Sequence, residues 1–127
     1  MGETTVVVRD VSALLGEDIR RLRMPDRVYS NERIESASGS ATEIRFRDGT
    51  VLTIGPETRV TLDSVVLDTD TAEREFLLSI ERGLVRIEVG ETPSAAYRVT
   101  TPVATFGVRG KVLNLLVREE PRQPTLN

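Results

Sequence analysis

The side chains of this sequence that could do chemistry are carboxylates and hydroxyls, because its 127 residues include neither histidine nor cysteine. Without those two residue types there is no thiol nucleophile, no imidazole base for a serine triad and no usual donor set for structural zinc. No pattern holds two carboxylates at a set distance in a cleft, and aromatic residues for sugar stacking make up only 4% of the chain. We therefore predict a protein with no catalytic residues and no cofactor.

Calcium is the metal that the acidic residues suggest most directly. Asp68 and Asp70 flank Thr69, and Asp63 lies nearby. A few carboxylates fall well short of the roughly six to eight oxygen ligands that Ca²⁺ takes. The sequence therefore predicts no metal site.

One arginine lies between closely spaced glycines, in the sequence Gly107-Val108-Arg109-Gly110. Glycines at this spacing are typical of a bulge or a tight corner. Such a corner would aim Arg109 inward to pair with a carboxylate such as Asp48. The alternative is an exposed Arg109 that contacts an anion or a partner. If the pair is buried, Arg109→Ala would destabilise the fold by about 3–5 kcal/mol.

Charge and hydropathy exclude other classes of protein. The net charge is −3 and the isoelectric point about 5.1, whereas nucleic-acid binding needs a concentrated basic face. No stretch approaches the ~20 apolar residues of a membrane helix. Residues 1–4 lack the basic start and apolar run of a signal peptide. We expect no nucleic-acid partner, no membrane insertion and no signal peptide within this chain.

The elements that position these residues are predicted to be short β-strands. Apolar and polar residues alternate between Gly, Pro and Asp turn signals, which is typical of an all-β sandwich or barrel with an aliphatic core. Two short strands are predicted around a turn at residues 16–18, in preference to a helix. The other predicted strands are residues 4–9, 27–29, 33–35, 41–47, 50–54, 59–67, 74–80, 84–89, 96–101 and 111–118. We predict one domain over residues 1–118 and a flexible tail over residues 119–127.

Three dipeptides mark turns between these strands. Asp48-Gly49 predicts a type I′ turn that sets the register of a hairpin. Gly55-Pro56 ends the second arm of that hairpin. Thr101-Pro102 predicts an edge or corner, because proline has no N–H to donate to a central ladder.

Taken in order, these landmarks resemble the FecR family over about residues 20–118. The residues that carry the resemblance are 28–36, 40–41, 46–56, 62–63, 65–68, 79–85 with Arg82-Gly83, 99–105 and 107–110. The sequence departs from the family pattern at Lys111, where threonine usually follows Arg-Gly. It also lacks the receptor-facing second domain of the best-known members.

The resemblance implies an antiparallel, jelly-roll-like β-sandwich located outside the cytoplasm, either periplasmic or secreted. In iron-transport regulators of this family, the periplasmic part relays a signal from an outer-membrane receptor to a sigma factor. Many other relatives are stand-alone exported proteins, and this chain resembles that type more closely. The implied role is a non-catalytic binding or scaffold module.

Three classes of function remain. The first is a protein-interaction or sensory module that binds a partner in the cell envelope. The second is a structural subunit, since residues 4–8 and 113–117 form strands near opposite ends of the chain that could pair between copies. The third is a lectin or sugar hydrolase, which the fold alone suggests. We predict the first, with self-assembly as the alternative. The candidate structural or interaction residues are Asp48, Gly49, Gly55, Pro56, Gly83, Thr101, Pro102, Gly107, Arg109 and Gly110.

Overall fold

The computed structural model describes residues 2–66, 75–90, 97–108 and 110–118, and its regular structure there consists of β-strands without helices. The all-β prediction is therefore confirmed. The strands are β1 (Gly2–Val8), β2 (Val11–Leu15), β3 (Asp18–Arg21), β4 (Arg27–Val28), β5 (Arg33–Ser36), β6 (Ala41–Phe46), β7 (Val51–Ile54), β8 (Arg59–Val66), β9 (Glu75–Glu88), β10 (Tyr97–Thr100), β11 (Thr105–Gly107) and β12 (Val112–Val117).

These twelve strands form one curled sheet, and β9 belongs to both of its halves. Half-sheet A has the order β12-β9-β7-β6-β1-β4. Half-sheet B has the order β3-β2-β5-β8-β9-β10-β11. All pairs are antiparallel except β9 with β10, which corrects the expectation of a wholly antiparallel sheet. The jelly-roll sandwich stays a prediction, because the pairings define a single sheet with two halves.

The position of β9 corrects a second expectation, which was two separate strands over residues 74–80 and 84–89. The structure has one strand of 14 residues, whose buried side chains change from even to odd positions at its centre. The buried apolar residues are Phe76, Leu78, Ile80, Val85 and Ile87. The predicted alternation of buried residues is confirmed in each half of β9. The change from even to odd positions, however, marks an irregularity within one strand and not a turn between two strands.

A β-bulge causes this change from even to odd positions. Arg59 of β8 pairs with Arg82, whereas the next residue, Val60, pairs with Ile80. Glu81 is therefore the extra residue of the bulge. Because side chains alternate with a period of two, the extra residue shifts the positions that face the core from even to odd numbers.

Gly83 lies beside this bulge with a φ of +108°, a value that glycine adopts far more readily than other residues. A Cβ at this position would lie 2.1 Å from the Thr58 Oγ1 atom and 2.5 Å from the Thr58 Cα atom. Thr58 Oγ1 accepts a hydrogen bond from the Leu84 N–H at 3.0 Å and donates one to the Pro56 carbonyl at 3.0 Å. The absent side chain therefore lets the turn after β7 pack directly against β9.

The two half-sheets share one hydrophobic core. It is mostly aliphatic, as expected, but three aromatic rings lie within it. The ring centroids of Phe46 and Phe76 are 5.2 Å apart, and those of Phe76 and Tyr97 are 5.0 Å apart. The core also includes residues that precede β5: Val11, Ala13, Leu22 and Val28.

We expect Gly83→Ala to lower the free energy of unfolding by about 3 kcal/mol or more, because it adds both backbone strain and a clash with Thr58. Gly16→Ala is the matched control. Gly16 also has a positive φ, of +61°, but nothing lies within 4 Å of an added Cβ. The control should cost about 1 kcal/mol. Urea unfolding of the three proteins measures both values, and equal losses would contradict the proposed packing at Gly83.

Candidate interaction surface

Asp48 and Gly49 lie in the loop between β6 and β7, where the pairing of Phe46 with Thr50 encloses residues 47–49, and not in the expected type I′ turn. The Gly49 N–H donates to the Phe46 carbonyl at 3.0 Å, and the Phe46 N–H donates to the Thr50 carbonyl at 2.8 Å. Gly49 has a φ of +89°, whereas the φ of Asp48 is not positive. A type I′ turn requires positive φ at both central residues. The Asp-Gly dipeptide therefore closes a longer loop with glycine in the left-handed position.

This loop directs the carboxylate of Asp48 into the protein. Asp48 Oδ1 accepts the Thr50 N–H at 2.9 Å, and Oδ2 accepts the hydroxyls of Thr50 at 2.9 Å and Tyr97 at 2.6 Å. The Gly90 N–H donates to Thr50 Oγ1 at 3.1 Å. Asp48, Thr50 and Tyr97 are buried, so this cluster connects the β6–β7 hairpin to β10 and offers no surface to a ligand. Arg109, the expected partner of Asp48, lies outside the described residues.

The candidates Gly55 and Pro56 lie in the turn after β7, next to Gly83. The Gly55 carbonyl accepts the Ser36 hydroxyl at 2.6 Å, and the Gly55 N–H donates to the Leu84 carbonyl at 2.8 Å. These bonds hold the turn against β5 and β9. The structure thus brings three of the predicted residues together at the junction of the half-sheets.

Thr101 and Pro102 form the turn between β10 and β11. Thr101 Oγ1 accepts the N–H groups of Val103 at 3.4 Å and Ala104 at 3.2 Å, and the Thr101 N–H donates to the Ala104 carbonyl at 2.8 Å. The threonine is buried and the proline exposed. Gly107 and Gly110 follow on the exposed side of this hairpin, where nothing lies within 4 Å of an added Cβ.

Beside these turns lies β12, whose six residues carry no charge. Among the described strands it pairs with β9 alone. The Val89 N–H donates to the Lys111 carbonyl at 2.7 Å, which fixes the alternation of the ladder. In an antiparallel pair, every second residue bonds to the neighbouring strand. Residues 113, 115 and 117 therefore bond to β9, and the amides of residues 112, 114 and 116 face the open edge.

Two grooves flank the C-terminal half of β12. One, of about 530 Å³, separates it from the β10–β11 turn and is lined by Glu81, Thr101, Pro102, Val103, Phe106 and residues 115–118. The other, of about 630 Å³, includes Pro56, Gly83, Leu84, Leu116 and Val117. Four of the predicted residues, Pro56, Gly83, Thr101 and Pro102, thus line grooves on either side of one strand. We call β12 and these two grooves the β12 surface.

The β12 surface exposes several apolar side chains. Val103 is 80% exposed and Leu116 60% exposed, and Leu84, Phe106 and Val112 are also exposed. Leu84 and Leu116 are cross-strand partners on the same face. Sequence reasoning did not single out these side chains, although the uncharged run of residues 112–117 was a signal that could have done so.

The other strands that pair on one side only are protected against further pairing. Three of the four residues of β3 are charged, namely Asp18, Arg20 and Arg21. The remaining two are short: β4 has two residues and β11 has three. Charges and short length are the usual protections of an edge strand. Among the described strands that pair on one side only, β12 is therefore the one that is both long and free of charged residues.

Acidic groups near β12 are already paired. Arg59 bonds to Glu81 at 3.1 Å and to Glu35 at 2.6 Å, and these two side-chain hydrogen bonds, chiefly that of Glu81, raise the pKa of Arg59 above its usual value. Arg86 pairs with Glu88 at 3.3 Å. By contrast, no ion pair within the described residues involves the cations at the two ends of β12, Lys111 and Arg118.

An ion pair between a half-exposed arginine and a buried carboxylate was also missed from the sequence. Glu32 is buried, and its Oε1 accepts Arg20 Nη2 at 2.8 Å and the Tyr29 N–H at 2.8 Å. Arg20 also lies 6.0 Å from the centroid of the Tyr29 ring. This cluster holds the chain between β4 and β5 and leaves no free carboxylate for chemistry.

In the part of the chain that the structure describes, no group of three or more acidic side chains is placed to hold a metal ion. The suggested calcium ligands at residues 68–70 lie outside that part, and Asp63 accepts a hydrogen bond from the Ser79 hydroxyl. The described residues also contain no helix that is long and apolar enough to cross a bilayer.

Comparison with known families identifies the chain. The family model described as FecR protein matches residues 32–127. The chain belongs to the FecR family. The family is regulatory and sensory in character. A search among curated proteins and solved structures finds no significant match.

The matched region begins in the turn before β5, later than the resemblance over residues 20–118 suggested. Strands β1–β4 precede it, yet β1 pairs with β6 and β2 pairs with β5. The residues before the FecR match therefore complete both half-sheets of the same fold.

We expect Tyr97→Phe to lower the free energy of unfolding by about 1–3 kcal/mol, because it removes a buried hydrogen bond to the Asp48 carboxylate. Tyr29→Phe is the matched control, since Tyr29 is half exposed and its hydroxyl has no hydrogen-bond partner among the described residues. The control should change stability by less than about 0.5 kcal/mol. Denaturant unfolding at neutral pH compares the two, and a cost of Tyr97→Phe no larger than that of the control would contradict the cluster.

Proposed function

We propose that this FecR-family chain is a non-catalytic protein-interaction or sensory module that acts outside the cytoplasm, in the periplasm or after secretion. The observation that carries the proposal is the β12 surface. Family membership supports a regulatory role, and the extracytoplasmic location rests on the family resemblance.

The composition of the β12 surface supports a protein partner. Exposed apolar side chains are ordinary when scattered singly, but contiguous patches mark sites of interaction. Here Val103, Phe106 and Leu116 line one groove, and Leu84 shares the other with Leu116. An open strand between two grooves with exposed apolar side chains fits an extended polypeptide better than a metabolite.

The proposal predicts that Leu116→Asp abolishes capture of a specific envelope protein by the immobilised chain. The added charge would have to be desolvated when the partner covers the surface. Val8→Asp is the matched control, because Val8 is also an exposed apolar residue of a strand but lies on β1. Quantitative mass spectrometry of proteins captured from an envelope extract provides the measurement. Identical sets captured by both variants and the unmodified chain would count against a partner on the β12 surface.

Self-assembly is the second candidate, and one observation favours it. On the outer edge of β1, β4 pairs with Gly2 and Glu3 alone, which leaves the uncharged residues 5–8 without a partner strand among those described. β1 and β12 thus form opposite margins of half-sheet A. Pairing of one copy's β12 with the next copy's β1 would extend the sheet indefinitely.

We expect the chain to remain a monomer of 14.1 kDa at all concentrations, as suits a module that binds other proteins. Size-exclusion chromatography with light scattering measures this mass. Growth with concentration that Val6→Lys with Val8→Lys suppresses would instead establish assembly through β1. Substitution is preferable to deletion of residues 4–8, because β1 pairs with β6 within half-sheet A and its Thr4 is buried.

A further inference from the structure

We propose that β12 binds its partner by strand addition, and that the bound segment is an extended strand with apolar residues at alternate positions and acidic residues at both ends. This inference rests on the proposed function and names the mode of binding and the chemistry of the partner.

The backbone of β12 provides the first argument. The amides of Val112, Asn114 and Leu116 face away from β9, so they lack a strand partner among the described residues. An extended peptide that adds to a sheet edge satisfies such groups by main-chain hydrogen bonds. Natural edges usually prevent this with charge, proline or short length, and β12 has none of these protections.

The side chains provide the second argument. On the outer face, the exposed residues Val112 and Leu116 would lie beside alternate side chains of an added strand. On the inner face, Leu115 and Val117 border the 530 Å³ groove together with Phe106. An added strand would therefore meet apolar surface on both faces, which favours alternate apolar residues in the partner.

Charge provides the third argument and defines the ends of the partner. Lys111 precedes β12 and Arg118 follows it, while the nearby carboxylates of Glu81 and Glu88 are paired with arginines. Among the residues that the structure describes, the open edge therefore has a cation at each end, and in the sequence Glu119 and Glu120 follow Arg118. A strand with an acidic residue at each end complements it whether it runs parallel or antiparallel to β12.

The same charges argue against a second copy as the occupant. Two β12 strands that pair antiparallel about Asn114 would place Lys111 of one copy within one position of Arg118 of the other, at both ends of the pair. Like charges at neighbouring cross-strand positions are destabilising. A foreign acidic strand avoids this repulsion.

The test uses a peptide with the sequence Glu-Val-Thr-Val-Thr-Val-Glu and the same peptide with lysine at both ends. Asn114→Pro is the decisive variant, because it removes an edge amide without removing a bond to β9. Asn114→Thr is the matched control. We expect the acidic peptide to bind the full chain and the Asn114→Thr variant, and Asn114→Pro to weaken binding at least tenfold. Fluorescence anisotropy measures binding, and thermal unfolding confirms that each variant is folded.

Charge reversal tests the ends of the partner. Lys111→Glu with Arg118→Glu should weaken binding of the acidic peptide by about tenfold and reverse the preference in favour of the lysine peptide. Equal binding of both peptides to the unmodified chain would overturn the charge argument. Undiminished binding to a folded Asn114→Pro variant would overturn strand addition.

Amide exchange in the unmodified chain keeps the inference testable if Asn114→Pro does not fold. The amides of residues 112, 114 and 116 should exchange rapidly in the free chain and slowly with the acidic peptide bound. Slow exchange without peptide would show that another segment or a second copy already covers the edge, and would contradict the inference. If Leu116→Asp still abolishes capture of an envelope protein while the peptide fails to bind, the proposed function stands and strand addition does not.

Discussion

The fold depends on the β-bulge within β9, which changes the positions of that strand that point into the core. Because Glu81 is an extra residue, the apolar side chains before and after it reach the same core, although they occupy even and then odd positions. If β9 alternated regularly through Glu81, Leu84 and Arg86 would point inward and Val85 and Ile87 outward. One strand can therefore serve two half-sheets that face a common interior, and Gly83 provides the close contact with Thr58 that this geometry needs.

The candidate surface is a consequence of the same arrangement. β9 continues past the bulge, so its later half has room for a strand on each side, and β7 and β12 occupy those two places. The turn after β7 and the turn after β10 then lie on either side of β12. The Asp48–Thr50–Tyr97 cluster positions the turn after β10, because it holds β10 to the β6–β7 hairpin. The β12 surface is thus built from segments that are distant in sequence but tied to one strand.

Local patterns predicted the strands well, because alternation and turn residues are local properties. They did not distinguish a bulge from a turn at Glu81–Gly83, since both change the phase of alternation and both use glycine. Asp-Gly suits two kinds of hairpin loop, and the choice here depends on Thr50 and on Tyr97, which is remote in the chain. Turn residues such as Pro56 and Thr101 were found because their types mark turns. The uncharged run of residues 112–117 was a signal for β12, but which of its edges is open was not predictable, because that depends on which side of β12 has a neighbour.

The central place of β9 also governs the order in which the chain can fold during synthesis. Residues 2–66 leave the ribosome first, and they can form the β2–β3 and β6–β7 hairpins through local pairing. The described pairings join β7 to β8 only through β9, so the two halves cannot close on each other until residue 88 has emerged. Contacts between residues so distant in sequence slow folding, because a long loop must be ordered before they form. The nascent protein must therefore pass through a stage in which two incomplete sheets expose their apolar faces to water.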